Sequence, residues 1–263
     1  MNALYKWTAG RNALLINVPH AGTLIPGDIA QTLTAAGREV PDTDWHVDHL
    51  YTAALQMGCA MLSATHSRYV VDLNRNPDGA ALYPGASNTE ICPTTTFAGA
   101  AIYAQDRQPD NFEMERRVHV YWQPYQLKLA AEIDAIKAKH GFCVLLDAHS
   151  IRSRVPRFFD GVLADLNLGT ADGQSCDRAL AEKAFATFQT YPGFTAAHNG
   201  RFKGGYITRH YGKPAQQVHA LQLEIAQSCY MDENFPARFD AAASLLLRGV
   251  LGRLAALLVS WRP

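Results

Sequence analysis

The chain has 263 residues, 48% of them hydrophobic and 18% charged, enough to bury a sizeable core in one large domain or two small ones. Its 24 Lys and Arg balance 24 Asp and Glu, and no basic stripe points to nucleic acid or an anionic membrane. The five cysteines are scattered and form no CxxC pair, which argues against a disulfide framework or a cysteine zinc site and predicts reduced thiols in a cytoplasmic protein.

Met1–Gly10 lacks the charged-then-apolar pattern of a signal peptide. The run Ala13–Val18 predicts a buried strand that stops at Pro19, which cannot donate a ladder hydrogen bond. His20 then stands at the strand's carboxyl end, where open α/β sheets place ligands, and Gly22 permits a sharp turn. Asp42–Met57 predicts a helix capped by Asp42, with Asp44 and Asp48 on one face of its first turn and His46 and His49 on another. Strands are expected at Ala60–Ala64 and Tyr69–Leu73. Asn74–Asp110, rich in Pro, Gly, Asn and Thr, fits neither period; a loop that long is usually functional or disordered.

Glu113–His140 predicts a long helix with a kink or break at Pro124. Phe142–Asp147 is an apolar strand running into Ala148-His149-Ser150, and Gly161–Ala164 is a further strand. Asp177–Gln189 is helical, and Gly193–Pro214 is a second unassigned stretch containing Asn-Gly-Arg-Phe-Lys-Gly-Gly. Val218–Ile225 is strand-like with Glu224 near its end, and Pro236–Trp261 closes the chain as a helix. Arg248 and Arg253 interrupt its apolar run at helical spacing, so it reads as amphipathic rather than membrane-spanning. Strands alternating with helices predict one α/β domain over residues 1–263 with a mostly parallel or mixed sheet.

Asp147, His149 and Ser150 cannot form a nucleophilic triad, because neighbours in one extended segment cannot orient one another, and no GxSxG elbow is present. Two histidines at strand ends point instead to a metal, since neutral imidazole is a good zinc ligand and a catalytic zinc takes three protein ligands. Asp44 is the first choice for the third ligand, with His46 and Asp48 as alternatives. Glu224 is the candidate general base; an isolated carboxylate deep in an apolar strand is costly, so it either faces a cleft or is paired.

The segments "NVPHAG", "DTDWH", "SRYVVDLNR", "LLDAHSIRS", "NGRFKGGYITRHYG" and "HALQLEIAQSCYMDE", in this order between Leu14 and Glu233, resemble N-formylglutamate deformylases, also called N-formylglutamate amidohydrolases. The resemblance implies a phosphorylase/hydrolase-like α/β fold related to zinc carboxypeptidases, with a mixed sheet flanked by helices. It also implies one divalent metal, usually zinc, and hydrolysis of N-formyl-L-glutamate to formate and L-glutamate late in histidine degradation. The carboxypeptidase His-x-x-Glu pattern is absent, since Thr23 stands three residues after His20; the acidic ligand must come from further along, which favours Asp44.

A dicarboxylate substrate calls for two cationic clamps, and arginine meets a carboxylate bidentately. The candidates are Arg68, Arg75 and Arg209, with Arg201 and Lys203 placed to close over the substrate. Two rival readings are another zinc amidohydrolase, acting on an N-acyl amino acid or a peptidoglycan amide, and a non-catalytic carboxylate-binding protein on the same fold.

Overall fold

The computed structural model describes residues 3–79, 89–234 and 237–263. In chain order the elements are β1 (Tyr5–Thr8), β2 (Leu14–Val18), α1 (Gly27–Ala30), α2 (Ala35–Arg38), α3 (Val47–Leu50), α4 (Thr52–Gln56) and β3 (Ala60–Ala64). There follow α5 (Asn111–Arg117), α6 (Gln123–His140), β4 (Cys143–Ile151), β5 (Leu166–Gly169), α7 (Arg178–Gln189), β6 (Ala196–His198) and α8 (Tyr206–Tyr211). The chain ends with β7 (Val218–Ala226), β8 (Met231–Asp232), β9 (Arg238–Phe239) and α9 (Ala243–Ser260).

Seven strands form one mixed sheet in the order β1-β3-β2-β4-β7-β5-β6, and β8 pairs with β9 in a separate ribbon. The four central strands β3, β2, β4 and β7 run parallel, while β1 and β5 join them antiparallel. Every residue of β2, β4 and β7 is buried, which is why these strands read as continuous apolar runs: helices cover both faces. The register sets polar residues side by side near the carboxyl ends. Asn17 pairs with Asp147, Asp147 with Gln222, and His149 with Glu224.

The closing helix α9 is long and apolar enough to cross a membrane by composition. Its stripe Leu247, Val250, Leu251, Leu254, Ala255 and Leu258 is buried, however, and it packs on α4 and α7 as a core helix.

Several expectations change. Tyr69–Leu73 is a buried turn rather than a strand, because side chains take its backbone carbonyls: Arg117 donates to Tyr69 O and Val70 O, and Gln126 to Leu73 O. Residues Gly161–Ala164 lie before β5, with Gly161 at φ 71° and Leu163 turned into a small cluster with Ile151 and Val155. The helix expected over Asp42–Met57 is two short ones: residues 42–46 form a turn, and His46 in the left-handed region (φ 61°) precedes α3. Asp42 caps nothing; its Oδ2 accepts from the Tyr69 hydroxyl and from Phe97 N. Gly22 makes no left-handed turn; a Cβ there would lie 2.4 Å from His66 O, so glycine is needed for close backbone approach. The interruption expected at Pro124 lies just before it, as a π turn over Val118–Trp122 between α5 and α6, and Pro124 itself sits in the first turn of α6. Residues 80–88 of the first unassigned stretch, and Pro236 at the expected start of the closing helix, lie outside the described residues.

Candidate active site

Among the described residues, one group can hold a metal ion: His20, Asp44 and His149, each offering a ligand atom within 4.8 Å of the others. They arrive from three places, just past the end of β2, in the turn before α3, and near the end of β4. All three are buried, since His20 and His149 are 3% exposed and Asp44 is 0% exposed. Asp44 Oδ2 lies 3.7 Å from His20 Nδ1 and 3.0 Å from His149 Nδ1, so both rings turn Nδ1 toward one carboxylate.

The other ring nitrogens explain that orientation. His20 Nε2 is 2.7 Å from Asp72 Oδ1, and His149 Nε2 is 3.1 Å from Asp147 Oδ2. A buried carboxylate stands behind each imidazole, as in carboxylate–histidine–metal arrangements. For His20 it holds the proton on Nε2 and leaves the Nδ1 lone pair for the centre, while at His149 the Asn74 Nδ2 amide also approaches Nε2 to 3.0 Å. Arg68 agrees with this tautomer for His20: its Nη2 can only donate, and it contacts both His20 Nδ1 and Asp44 Oδ1. Burial opposes the Asp44 charge, yet Arg68 and the two histidines hold its carboxyl well below the usual range. Burial likewise opposes charging of His149, but Asp147 and Asp44 draw its pKa well above the ordinary histidine value.

Glu224 stands beside His149 in the sheet register, with its carboxylate Oε2 accepting from Gln222 Nε2 at 3.2 Å. Gln222 in turn accepts from Gly205 N–H at 2.6 Å, tying the glycine-rich stretch to the acid. A Cβ at Gly205 would lie 2.3 Å from Asn74 Nδ2, so the close approach of Asn74 demands glycine there. Burial pushes the Glu224 carboxyl up to about 8, with His149 and Arg68 pulling against Asp44 and Asp147. Such a group is poised to exchange a proton near neutrality.

A cleft of about 590 Å³, counted to its open mouth, is lined by His20, His149, Glu224, Arg68, Arg75 and Arg201 together with Asn74, Phe97 and Phe158. This size suits a small polar ligand. Arg75 is braced by Thr89, whose hydroxyl accepts from Nε at 3.1 Å and Nη2 at 2.7 Å. Arg201 donates to Phe158 O and lies over the Phe158 ring.

Residues 12–231 match the profile of the N-formylglutamate amidohydrolase family. The chain belongs to the N-formylglutamate amidohydrolase family. It is 41% identical over 261 residues to an N-formylglutamate deformylase of Pseudomonas putida, covering 99% of this chain and 97% of that one. To an N-formylglutamate deformylase of Pseudomonas aeruginosa it is 44% identical over 261 residues, covering 99% and 98%. The crystal structure of N-formylglutamate amidohydrolase from Ralstonia eutropha JMP134 superposes with a TM-score of 0.81 at 28% identity, covering 98% of both chains. A gene product of Agrobacterium tumefaciens shares the fold, with a TM-score of 0.73 at 18% identity over 98% of this chain and 96% of that one.

Within this amidohydrolase, six of the cationic and acidic residues named from sequence converge with Asp44 on one site: His20, His149, Glu224, Arg68, Arg75 and Arg201. Two do not. Arg209 lies on the exposed side of α8 with its Nε donating to Gly204 O, and Lys203 pairs with Asp172; neither lines the cleft among the described residues. The alternatives to Asp44 also lie elsewhere. Asp48 is on α3, 3.9 Å from Lys6, and His46 packs on Phe239. Ser150 Oγ accepts from Tyr230 OH at 2.7 Å and, among the described residues, has no base beside it, in line with rejecting a serine nucleophile. Sequence reasoning missed Asp72, Asn74, Thr89, Phe97 and Gln222. For Asp72 and Asn74 the polar alternation in "DLNR" was the available signal, masked by reading the segment as a strand.

Proposed function

We propose that this chain hydrolyses N-formyl-L-glutamate to formate and L-glutamate with the help of one divalent metal ion, in the cytoplasm and as a late step of histidine degradation. The observation that carries the reading is the pair of histidines that line the cleft with Glu224, each backed by a buried carboxylate and clustered with the buried Asp44. The curated relatives' names supply the substrate.

The donor set fits a metal. Two imidazole nitrogens and one carboxylate are the three-ligand set of hydrolytic zinc sites, so His20, His149 and Asp44 would hold it and zinc is the favoured ion. When bound, such an ion supplies Lewis-acid chemistry, polarising a carbonyl and making water more acidic. Glu224 takes the proton of the attacking water and hands it to the departing glutamate amine, a role worth roughly 10²- to 10⁴-fold. Arg75 and Arg201 hold the substrate's two carboxylates at the mouth, and Arg68, locked to Asp44 and His20, keeps the reacting end positively biased.

The test is metal analysis of the purified protein beside formate release from N-formylglutamate and acetate release from N-acetylglutamate. About one ion per chain with formate as the preferred product supports the reading. Preferred acetate release moves the chain to another N-acyl specificity, and binding without turnover makes it a carboxylate-binding protein.

A further inference from the structure

The segment Arg68–Arg75 carries Arg68, Asp72, Asn74 and Arg75, four side chains that touch the ligand residues or line the cleft. Among the described residues it pairs with no strand, and its one backbone bond to a distant segment runs from Asp72 N to Ile91 O at 2.7 Å. Its backbone carbonyls are instead held by side chains, Tyr103 OH on Tyr69 O and Cys92 Sγ on Val70 O among them, and most of these donors come from one helix. Arg117 Nη1 donates to Tyr69 O at 3.4 Å and Val70 O at 3.3 Å, Gln126 Nε2 to Leu73 O at 2.8 Å, and Trp122 Nε1 to Arg75 O at 3.1 Å. Carbonyls thus face the helix, the side chains of Tyr69, Val70, Val71 and Leu73 enter the core, and those of Arg68, Asp72, Asn74 and Arg75 face the site.

Those three donors share a face only because of the π turn between α5 and α6. At about 100° per residue, an unbroken α-helix would set Trp122 about 140° and Gln126 about 180° around the axis from Arg117. The π turn, in which Gln123 N–H bonds to Val118 O, absorbs one extra residue. Trp122 then lies about 40° and Gln126 about 80° from Arg117. Pro124 has no N–H to lose at this point, so the turn costs the following helix no bond there.

We propose that the face formed by Arg117, Trp122 and Gln126, aligned by this π turn, is the positioning element of the site: it fixes the backbone of residues 68–75 so that Arg75 and Asn74 hold their places in the cleft. The catalytic part of this proposal rests on the function proposed above. These are positioning residues; in the structure they touch the loop's carbonyls and not the ligand residues.

The test uses Trp122→Phe, which keeps a ring beside Tyr206 but removes the N–H on Arg75 O, and Gln126→Met as a second variant. Amide hydrogen exchange over residues 68–75 should quicken at least tenfold in either variant while exchange in β4 stays as in the wild type. With metal saturating, KM for N-formylglutamate should rise five- to tenfold in Trp122→Phe with kcat within twofold, since Trp122 holds the Arg75 end of the loop while Arg68, Asp72 and Glu224 keep their own contacts. Unchanged exchange over 68–75 in both variants, or an increase spread evenly along the chain, overturns the proposal. So does a KM that moves less than twofold although the loop has loosened. A wild type that releases no formate defeats the functional reading, and the exchange data then decide the helix's hold on their own.

Discussion

Replacing Asp72 by asparagine tests whether the carboxylates behind the histidines matter to the metal. Asp72 is 0% exposed, its Oδ1 sits 2.7 Å from His20 Nε2 and also accepts from Asn74 N at 2.9 Å, and its Oδ2 has no hydrogen-bond partner among the described residues. In Asp72→Asn the side-chain amide oxygen can still accept both bonds, so the ring keeps its direction. The charge is lost, however, and with it the push that makes Nδ1 a stronger donor. Burial opposes the Asp72 charge, but His20 and Arg75 hold its carboxyl well below the usual range, so the wild-type group is ionised at neutral pH. Losses of this kind weaken metal affinity by about 10- to 100-fold, or about 1.4–2.8 kcal/mol. The assay is competition with a chromogenic chelator, with Asp48→Asn as a control, since the Asp48 side chain is 20% exposed and stands outside the cluster. A metal affinity for Asp72→Asn within threefold of the control would refute the reasoning.

Three further outcomes follow from the same geometry. Arg75→Lys keeps the charge but loses the fork braced by Thr89, so the preference for N-formylglutamate over N-formylglutamine in kcat/KM should narrow at least tenfold; an unchanged ratio moves that clamp to Arg201. Ser150→Ala should keep kcat within tenfold, because its hydroxyl serves Tyr230 and Gln227, and a drop to background would reinstate a nucleophile. Glu113 is held down to about 2 by hydrogen bonds from Arg116 and Arg117, below its unfolded value near 4.5. Its contribution is therefore complete above pH 4.5 and lost as pH falls from there toward 2; with the side chain 27% exposed, Glu113→Gln should cost about 1 kcal/mol at pH 7, or about 2–4 °C in Tm, and nothing near pH 2.

The parts of the fold that sequence revealed are those whose signal is their own. β2, β3, β4 and β7 are short apolar runs buried on both faces, and Pro19 does mark the end of β2. His20, His149 and Glu224 were readable because each follows or ends such a run. What failed depended on partners distant in sequence. Tyr69–Leu73 is as apolar as a strand, but its carbonyls belong to Arg117 and Gln126, about 50 residues away in each case. The αL residue His46 has no sequence mark, so two short helices looked like one. Arg209, named because it follows a glycine-rich run, sits on the exposed side of α8 with Nε on Gly204 O, while Arg75 and Arg201, held by Thr89 and Phe158, line the cleft. Side-chain direction of this kind is set by tertiary neighbours and leaves no periodicity to read.

The most direct test of the account is formate release from N-formylglutamate by metal-loaded Glu224→Gln beside the wild type. The glutamine keeps the shape and an oxygen that can accept from Gln222 but cannot take a proton, so bound metal should match the wild type while kcat falls at least about 100-fold. A metal-loaded Glu224→Gln protein that turns over at near the wild-type rate would contradict it.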